Sequence, residues 1–493
     1  MTVDARAADT PDGSCTEQIV FYLFDDDRET LDRKLQKAGR GLCLELIDKT
    51  FRRVDETATE RACVTSDAGR TGGLPGSKAD GTTNNPWVFV DASSEALPGS
   101  DVGYGASYAC TSATFTTFDQ DYAISPAPVF GFDMAVLPAA SDGILAWQHG
   151  CPSGTFGTRP VAERLLGSDA LTAAGLDGQD VNVVIVDQGV SRAYVTEQLG
   201  GTFGGGLSWF AQNGVREAGN PRLRDHKLPD LHGNMVARNV LALAPRARIF
   251  DLPLIPPRIS DLSFFSKEAC FAYRLFDLLI VRNLRRRFPG PWVFVSPWSV
   301  FDRLREPIPG NYTERRSNPL NAVIANLARQ HDMVFPAGNG GQFCPDLRTG
   351  PYDRGPGYSI LGANGLEEVL TIGATSCNTT WIGTSSQGPA PASLTCCDVL
   401  NEKPDVNVPS WFREFADAAV VNTGTSAASA VAAGVVAALR SRWRADDITP
   451  ATLKVVLRET ADGHWHRSWN GRGGKGVIDV RSAIEALDAM AGN

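Results

Sequence analysis

The chain has 493 residues, 43% hydrophobic and 21% charged, with a formal net charge of −9. That length exceeds what one core usually organises, so two units are expected, and the acidic balance argues against a nucleic-acid partner. No stretch approaches the ~18–20 uninterrupted apolar residues of a membrane span, and no zinc-spaced cluster, HExxH, CxxC or P-loop pattern occurs.

Met1 to Pro11 lacks the basic start and apolar core of a secretory signal, so cytoplasmic residence is the expectation. Ile19–Phe24 and Leu42–Ile47 read as strands, Arg28–Ala38 as a charged helix, and Ser66–Asn85 as a long Gly- and Ser-rich loop. Further strands are expected at Trp87–Val90 and Met134–Leu137. A composition shift around Gly150-Cys151-Pro152 suggests a boundary, with residues 1–155 as an accessory or prodomain-like unit and 156–493 as the main domain. The ten cysteines are too sparse for a disulfide-built scaffold and read mostly as reduced core thiols; the adjacent Cys396-Cys397 has no explanation at this level.

Val181 to Val186 is an almost continuous β-branched run, the pattern of a strand buried on both faces of a parallel sheet. It ends at Asp187, so this acid lies at a carboxyl strand end, where open α/β sheets build their sites. His232 opens a helical pattern carried by Val236, Val240 and Leu243. Of the six histidines, His226 belongs to a charged loop, and His331 follows a helix-like stretch whose C-terminal end favours a cation. His464 and His466 flank Trp465 without further ligand types, and His149 precedes the main domain. Arg285-Arg286-Arg287 reads as the solvated end of a helix running from Lys267.

Met333 to Pro336 is a short apolar strand running into Ala337-Gly338-Asn339-Gly340, where an Asn amide can donate to an oxyanion. Finally Thr423-Gly424-Thr425-Ser426 feeds a helix of small residues ending near Leu439. A Ser in that first turn meets the positive end of the helix dipole, which suits a nucleophile. The same Gly-Thr-Ser is also what an ordinary helix cap looks like.

Together, Asp187, His232, Asn339 and Ser426 give a chain order and context that resemble the subtilases, the subtilisin-like serine peptidases, over roughly the last two-thirds of the chain. Ala244–Ile249, Lys403–Val406 and Gly474–Asp479 add weaker similarities. The resemblance implies catalytic roles for Asp187, His232 and Ser426, an oxyanion donor in Asn339, and a peptide-binding strand at Trp292–Ser299 with Ser296 and Trp298 as substrate contacts. It also implies a protein or peptide substrate and no required cofactor, with structural calcium left open as in many relatives, while the acidic balance and the lack of an apolar span set the expectation of no nucleic-acid or membrane partner. The chain departs from the family pattern at Gln188, at Asn234-Met235, at Arg238 and at Ala430.

The fold expected is α/β: a three-layer, doubly wound, mostly parallel sheet with an additional N-terminal α+β region. Strands are expected near 181–187, 248–255, 292–297, 333–337, 367–373 and 405–408, and helices near 233–243, 266–286, 318–331, 426–441 and 449–460. The function expected is serine endopeptidase; a silent peptide-binding scaffold on the same fold is the alternative. An α/β-hydrolase esterase is disfavoured because no G-x-S-x-G elbow occurs and the triad order differs.

Overall fold

The computed structural model describes residues 157–209, 231–254 and, short breaks apart, 269–491, together with strand backbone at 8–9, 15–17, 42–47, 50–54, 63–64, 87–91, 109–110 and 130–131. The expectations at 19–24, 28–38, 66–85 and 134–137, and those on His149, His226, His464 and His466, lie outside the described residues.

Among the described residues the main sheet runs from β1 (Trp87–Asp91) through β2 (Asn182–Asp187), β3 (Thr202–Trp209), β4 (Arg248–Pro253), β5 (Trp292–Val295), β6 (Asp332–Pro336), β7 (Leu370–Thr375) and β8 (Val406–Pro409) in chain order. Its spatial order is β8-β7-β6-β5-β2-β4-β3-β1. All neighbours are parallel except β1, which closes the edge antiparallel to β3. The stretch before residue 155 thus supplies an edge strand to the main sheet.

The β-branched run behaves as its composition requires. Every residue of β2 is buried, and Val183 lies in register with Ile249 on one side and Val293 on the other. Side chains alternate across β5. Val293 and Val295 join the larger core cluster, whereas Trp292 and Phe294 meet the helical Phe276 at ring separations of 6.2 and 6.0 Å. β3 was not expected from sequence, because the successive Gly204, Gly205 and Gly206 carry no side-chain period to read.

The helices that matter here are α1 (Arg159–Leu166), α2 (Asp169–Ala173), α3 (His232–Leu243), α4 (Pro319–Leu327), α5 (Gly424–Arg440), α6 (Pro450–Glu459) and α7 (Val480–Ala491). All of α5 is buried, Ala430 included. It packs along α3 and against β5 to β8, and its small residues permit close contact. A Cβ on Gly434 would sit 2.9 Å from the Val240 carbonyl oxygen of α3.

Two boundaries differ from expectation. β5 ends at Val295, and α4 stops at Leu327. His331 lies beyond the end of α4, 1% exposed, bonded through Nε2 to Asp277 Oδ1 at 3.1 Å and packed on the Phe294 ring. Asp277 also accepts from Arg274 at 2.8 Å. The arginines 285–287 are exposed, as the sequence suggested. No described helix is long and apolar enough to cross a membrane.

The Lys403-Pro404-Asp405 motif is structural. Lys403 donates to Asp405 Oδ2 and to the Val369 carbonyl, each at 2.6 Å, while Asp405 Oδ2 also accepts the Thr371 N–H at 2.7 Å. These bonds fasten the start of β8 to β7. Burial pulls the Lys403 ammonium down to about 8 despite the carboxylate beside it.

Candidate active site

β2 ends by presenting Asp187 beside the first turn of α3. The Asp187 Oδ2 to His232 Nδ1 separation is 2.6 Å, with the two side chains 1% and 2% exposed. The other carboxylate oxygen accepts the Gln188 N–H at 2.6 Å, a main-chain bond that does not depend on the side chain at that position. Asn234 likewise has a use: its Oδ1 accepts the Ser191 N–H at 2.9 Å, tying the turn after the acid to the helix that carries the imidazole. Gly233 permits this approach, since a Cβ there would lie 2.1 Å from the Gly189 carbonyl oxygen.

Ser426 lies in the first turn of α5, 2% exposed, and its Oγ donates to the Pro297 carbonyl at 2.9 Å. One residue earlier, Thr425 grips Asn339: its N–H and Oγ1 both bond to Asn339 Oδ1, at 3.2 and 3.0 Å. Thr425 Oγ1 in turn accepts the Gly338 N–H at 3.1 Å. The amide oxygen of Asn339 is thereby committed to α5, and Nδ2 is the end able to donate to another group. So Asp187 and His232 are directly bonded, Asn339 is anchored to the residue beside Ser426, and α3 lies along α5.

Ser296 and Trp298 are placed differently from open substrate contacts. Ser296 is fully buried and shares a 2.6 Å hydroxyl bond with Tyr273. Trp298 is 1% exposed, with its ring edge-on to Phe335 and its carbonyl accepting from Asn364 at 2.8 Å. β5 itself is flanked by β2 and β6, so strand addition is unavailable along 292–295; the Ser296 N–H also bonds to the Val334 carbonyl.

Two features escaped sequence reading. The first is a charge cluster on Arg238, the residue that departs from the family pattern. Arg238 donates to Glu414 Oε1 at 2.7 Å, to the Tyr194 hydroxyl at 3.1 Å and to Asn422 Oδ1 at 2.9 Å. Arg159 of α1 forks onto both oxygens of the same Glu414 at 2.6 Å and reaches Asn239 at 2.9 Å. Burial pushes the Glu414 carboxyl up, but Arg159 first, then Arg238 and Asn422, outweigh it and hold it at about 2. The cluster joins α1 and α3 to the hairpin of β9 (Phe412–Arg413) and β10 (Val421–Asn422), which leads into α5. An Arg inside an otherwise apolar helix pattern was the available signal.

The second is Asp251, buried in β4 in register with Ile185 of β2. Its Oδ1 accepts the Val190 N–H at 3.2 Å. Burial, with the Asp187 charge adding to it, pushes this carboxyl well above its usual range, and the Val190 bond opposes that only in part. An acid interrupting Ile249-Phe250-Asp251-Leu252 was its signal in the sequence.

Among the described residues no group of three or more His, Cys, Asp or Glu could hold a metal ion. A cleft of about 930 Å³ lies elsewhere, lined by Leu171, Leu176 and Leu243 at the amino-terminal ends of β2 and β4, with Arg481 and Asp169 at its rim. It is far in the fold from Asp187, which terminates β2 at the other end.

A mostly parallel, doubly wound sheet with helices on its faces and an acid, an imidazole and a helix-start serine at its carboxyl end defines the subtilisin-like α/β fold. Residues 305–482 match the model of the subtilase family; Asn339 and Ser426 lie within the matched segment, and Asp187 and His232 lie upstream of it. Similar solved structures include MycP1 from Mycobacterium smegmatis, at 19% identity over 73% of this chain and 90% of that one, TM-score 0.42. A second is the serine protease MycP1, an essential component of the type VII (ESX-1) secretion system, at 20% identity over 72% and 98%, TM-score 0.42. A third is the MycP3 protease of the ESX-3 system, at 19% over 68% and 90%, TM-score 0.41. No curated protein sequence matches the chain.

Proposed function

We propose that the chain is a serine endopeptidase acting on protein or peptide substrates through an acyl-enzyme. The observation that carries this reading is the 2.6 Å bond between Asp187 and His232 Nδ1. A proton held on Nδ1 fixes the tautomer, leaving Nε2 as the basic nitrogen, and the carboxylate stabilises the imidazolium that forms. Rotation of the Ser426 side chain releases Oγ from the Pro297 carbonyl; Oγ then attacks the peptide carbonyl as His232 takes its proton. His232 returns that proton to the leaving amine, and water hydrolyses the acyl-enzyme by the same route. Asn339 Nδ2 and the Ser426 N–H would receive the tetrahedral oxyanion.

No step calls for a metal or cofactor. The Ser296 and Trp298 side chains are engaged in the core, so no substrate contact is assigned to them. The test is labelling of the full chain with a fluorophosphonate, with peptide mapping of the adduct. Wild type should carry the label on Ser426 and Ser426→Ala should carry none; equal labelling of both proteins would reject Ser426 as the nucleophile, and no labelling of either would favour a silent scaffold.

A further inference from the structure

The adjacent cysteines in the loop between β7 and β8 have no part in the peptidase reading. Cys396 and Cys397 are both exposed free thiols, with their sulfurs 3.0 Å apart. The loop around them is pinned. Glu367 Oε1 accepts the Cys396 N–H at 2.8 Å and is itself paired with Arg316 at 3.2 Å. Thr395 Oγ1 accepts the Val399 N–H at 3.2 Å and donates to the Ala392 carbonyl at 2.8 Å. The two thiols are therefore held facing one another at the surface, unlike the buried Cys270 and the half-buried Cys377.

We propose that Cys396 and Cys397 form a redox-active dithiol that closes to a cyclic disulfide by exchange with a small-molecule organic disulfide such as oxidised glutathione. One cysteine thiolate attacks a sulfur of the organic disulfide and expels one thiolate. The neighbouring cysteine, as thiolate, attacks the protein sulfur of the mixed disulfide and expels the other. The protein gives up two hydrogens, counted as two protons and two electrons, and the organic disulfide becomes two thiols. Proximity makes the second step effectively intramolecular at high local concentration. The ring spans a single peptide bond, so its Cα atoms stay ~3.8 Å apart, short of the ~4.4–6.8 Å usual for disulfides. The product is strained and readily reduced, which makes it a reversible modification rather than a staple. The Cys397 sulfur and then Glu367 push the Cys396 thiol up to about 11, so exchange quickens as pH rises.

The test incubates the full chain with excess oxidised glutathione at mildly alkaline pH, quenches with acid, and maps fragments by mass spectrometry. The wild-type fragment holding residues 396 and 397 should be lighter by two hydrogens, carry no glutathione, and regain its mass on adding reduced glutathione. Cys397→Ser should trap glutathione on Cys396 at an occupancy about 10-fold or more above wild type, since ring closure can no longer expel it. Glutathione retained on the wild-type pair, a bond from either residue to Cys377 or another cysteine, or a pair left unreacted would each overturn the proposal.

Discussion

Asp187 and Glu414 are both carboxylates withdrawn from solvent, and both bond to residues of α3, yet their surroundings differ in kind. Asp187 meets one imidazole and one main-chain N–H. Glu414 meets two guanidiniums and the Asn422 amide, which supplies a further bond at 2.7 Å. The first acid faces a group that can gain a proton during a reaction, so its charge gains a stronger partner only at that moment. The second is saturated in the resting state and gains nothing from chemistry. Density of charge therefore marks the fastening of the fold, and under the proposed function sparseness of partners marks the end that reacts.

That contrast can be broken in order of effect. Ser426→Ala should lower kcat/KM by about 10⁶, the scale of loss when a subtilisin nucleophile is removed, while leaving the thermal midpoint nearly unchanged. Activity within tenfold of wild type would end the site assignment. Glu414→Ala should do the reverse: leaving Arg159 and Arg238 unpaired should destabilise the fold by about 3–5 kcal/mol in urea unfolding. A loss below about 1 kcal/mol would show that the cluster does not fasten the fold. Asn339→Ala should cost about 10²–10³ in kcat with KM little altered; it also breaks the anchor to Thr425, so a large rise in KM instead would point to a displaced α5.

The two smallest effects concern pH. Because Glu414 is held at about 2 in the fold against an ordinary 4.5, its stabilisation is complete above about pH 4.5 and is lost as pH falls toward 2. The stability gap between wild type and Glu414→Gln should narrow across that window, and a constant gap would contradict the ion pairing. Asp251 has the opposite sign. Its raised folded-state value means that the native chain keeps a proton the unfolded chain releases, so its contribution is greatest below about pH 3.8 and declines as pH rises. Asp251→Asn should thus be more stable than wild type at alkaline pH, with no such gain in acid, by unfolding measured at both.

Much of the reactive end was legible because each residue sits where a pattern changes. Asp187 ends a β-branched run, His232 and Ser426 begin helical ones, and Asn339 follows an apolar strand. Such transitions are local, and local rules recover them. Arg159, Arg238 and Glu414 meet only through tertiary packing, across sequence separations that no period encodes. β3 was hidden by glycines, whereas β1 was expected as a strand at Trp87–Val90 and only its place at the edge of the main sheet was hidden, by its distance in sequence. Ser296 and Trp298 illustrate the converse: a strand recognised by its composition says nothing of whether its neighbours leave it accessible.

The close contact of α5 with α3 has a mechanical consequence. Ser426 and His232 sit in the first turns of two helices packed so closely that a Cβ on Gly434 would lie 2.9 Å from the Val240 carbonyl oxygen. Any bulk inserted along that seam would act as a wedge, and a displacement too slight to unfold the molecule would still be carried to the helix starts that hold Ser426 and His232. Alignment in this chain is thus a property of a whole helix pair, vulnerable far from the cleft.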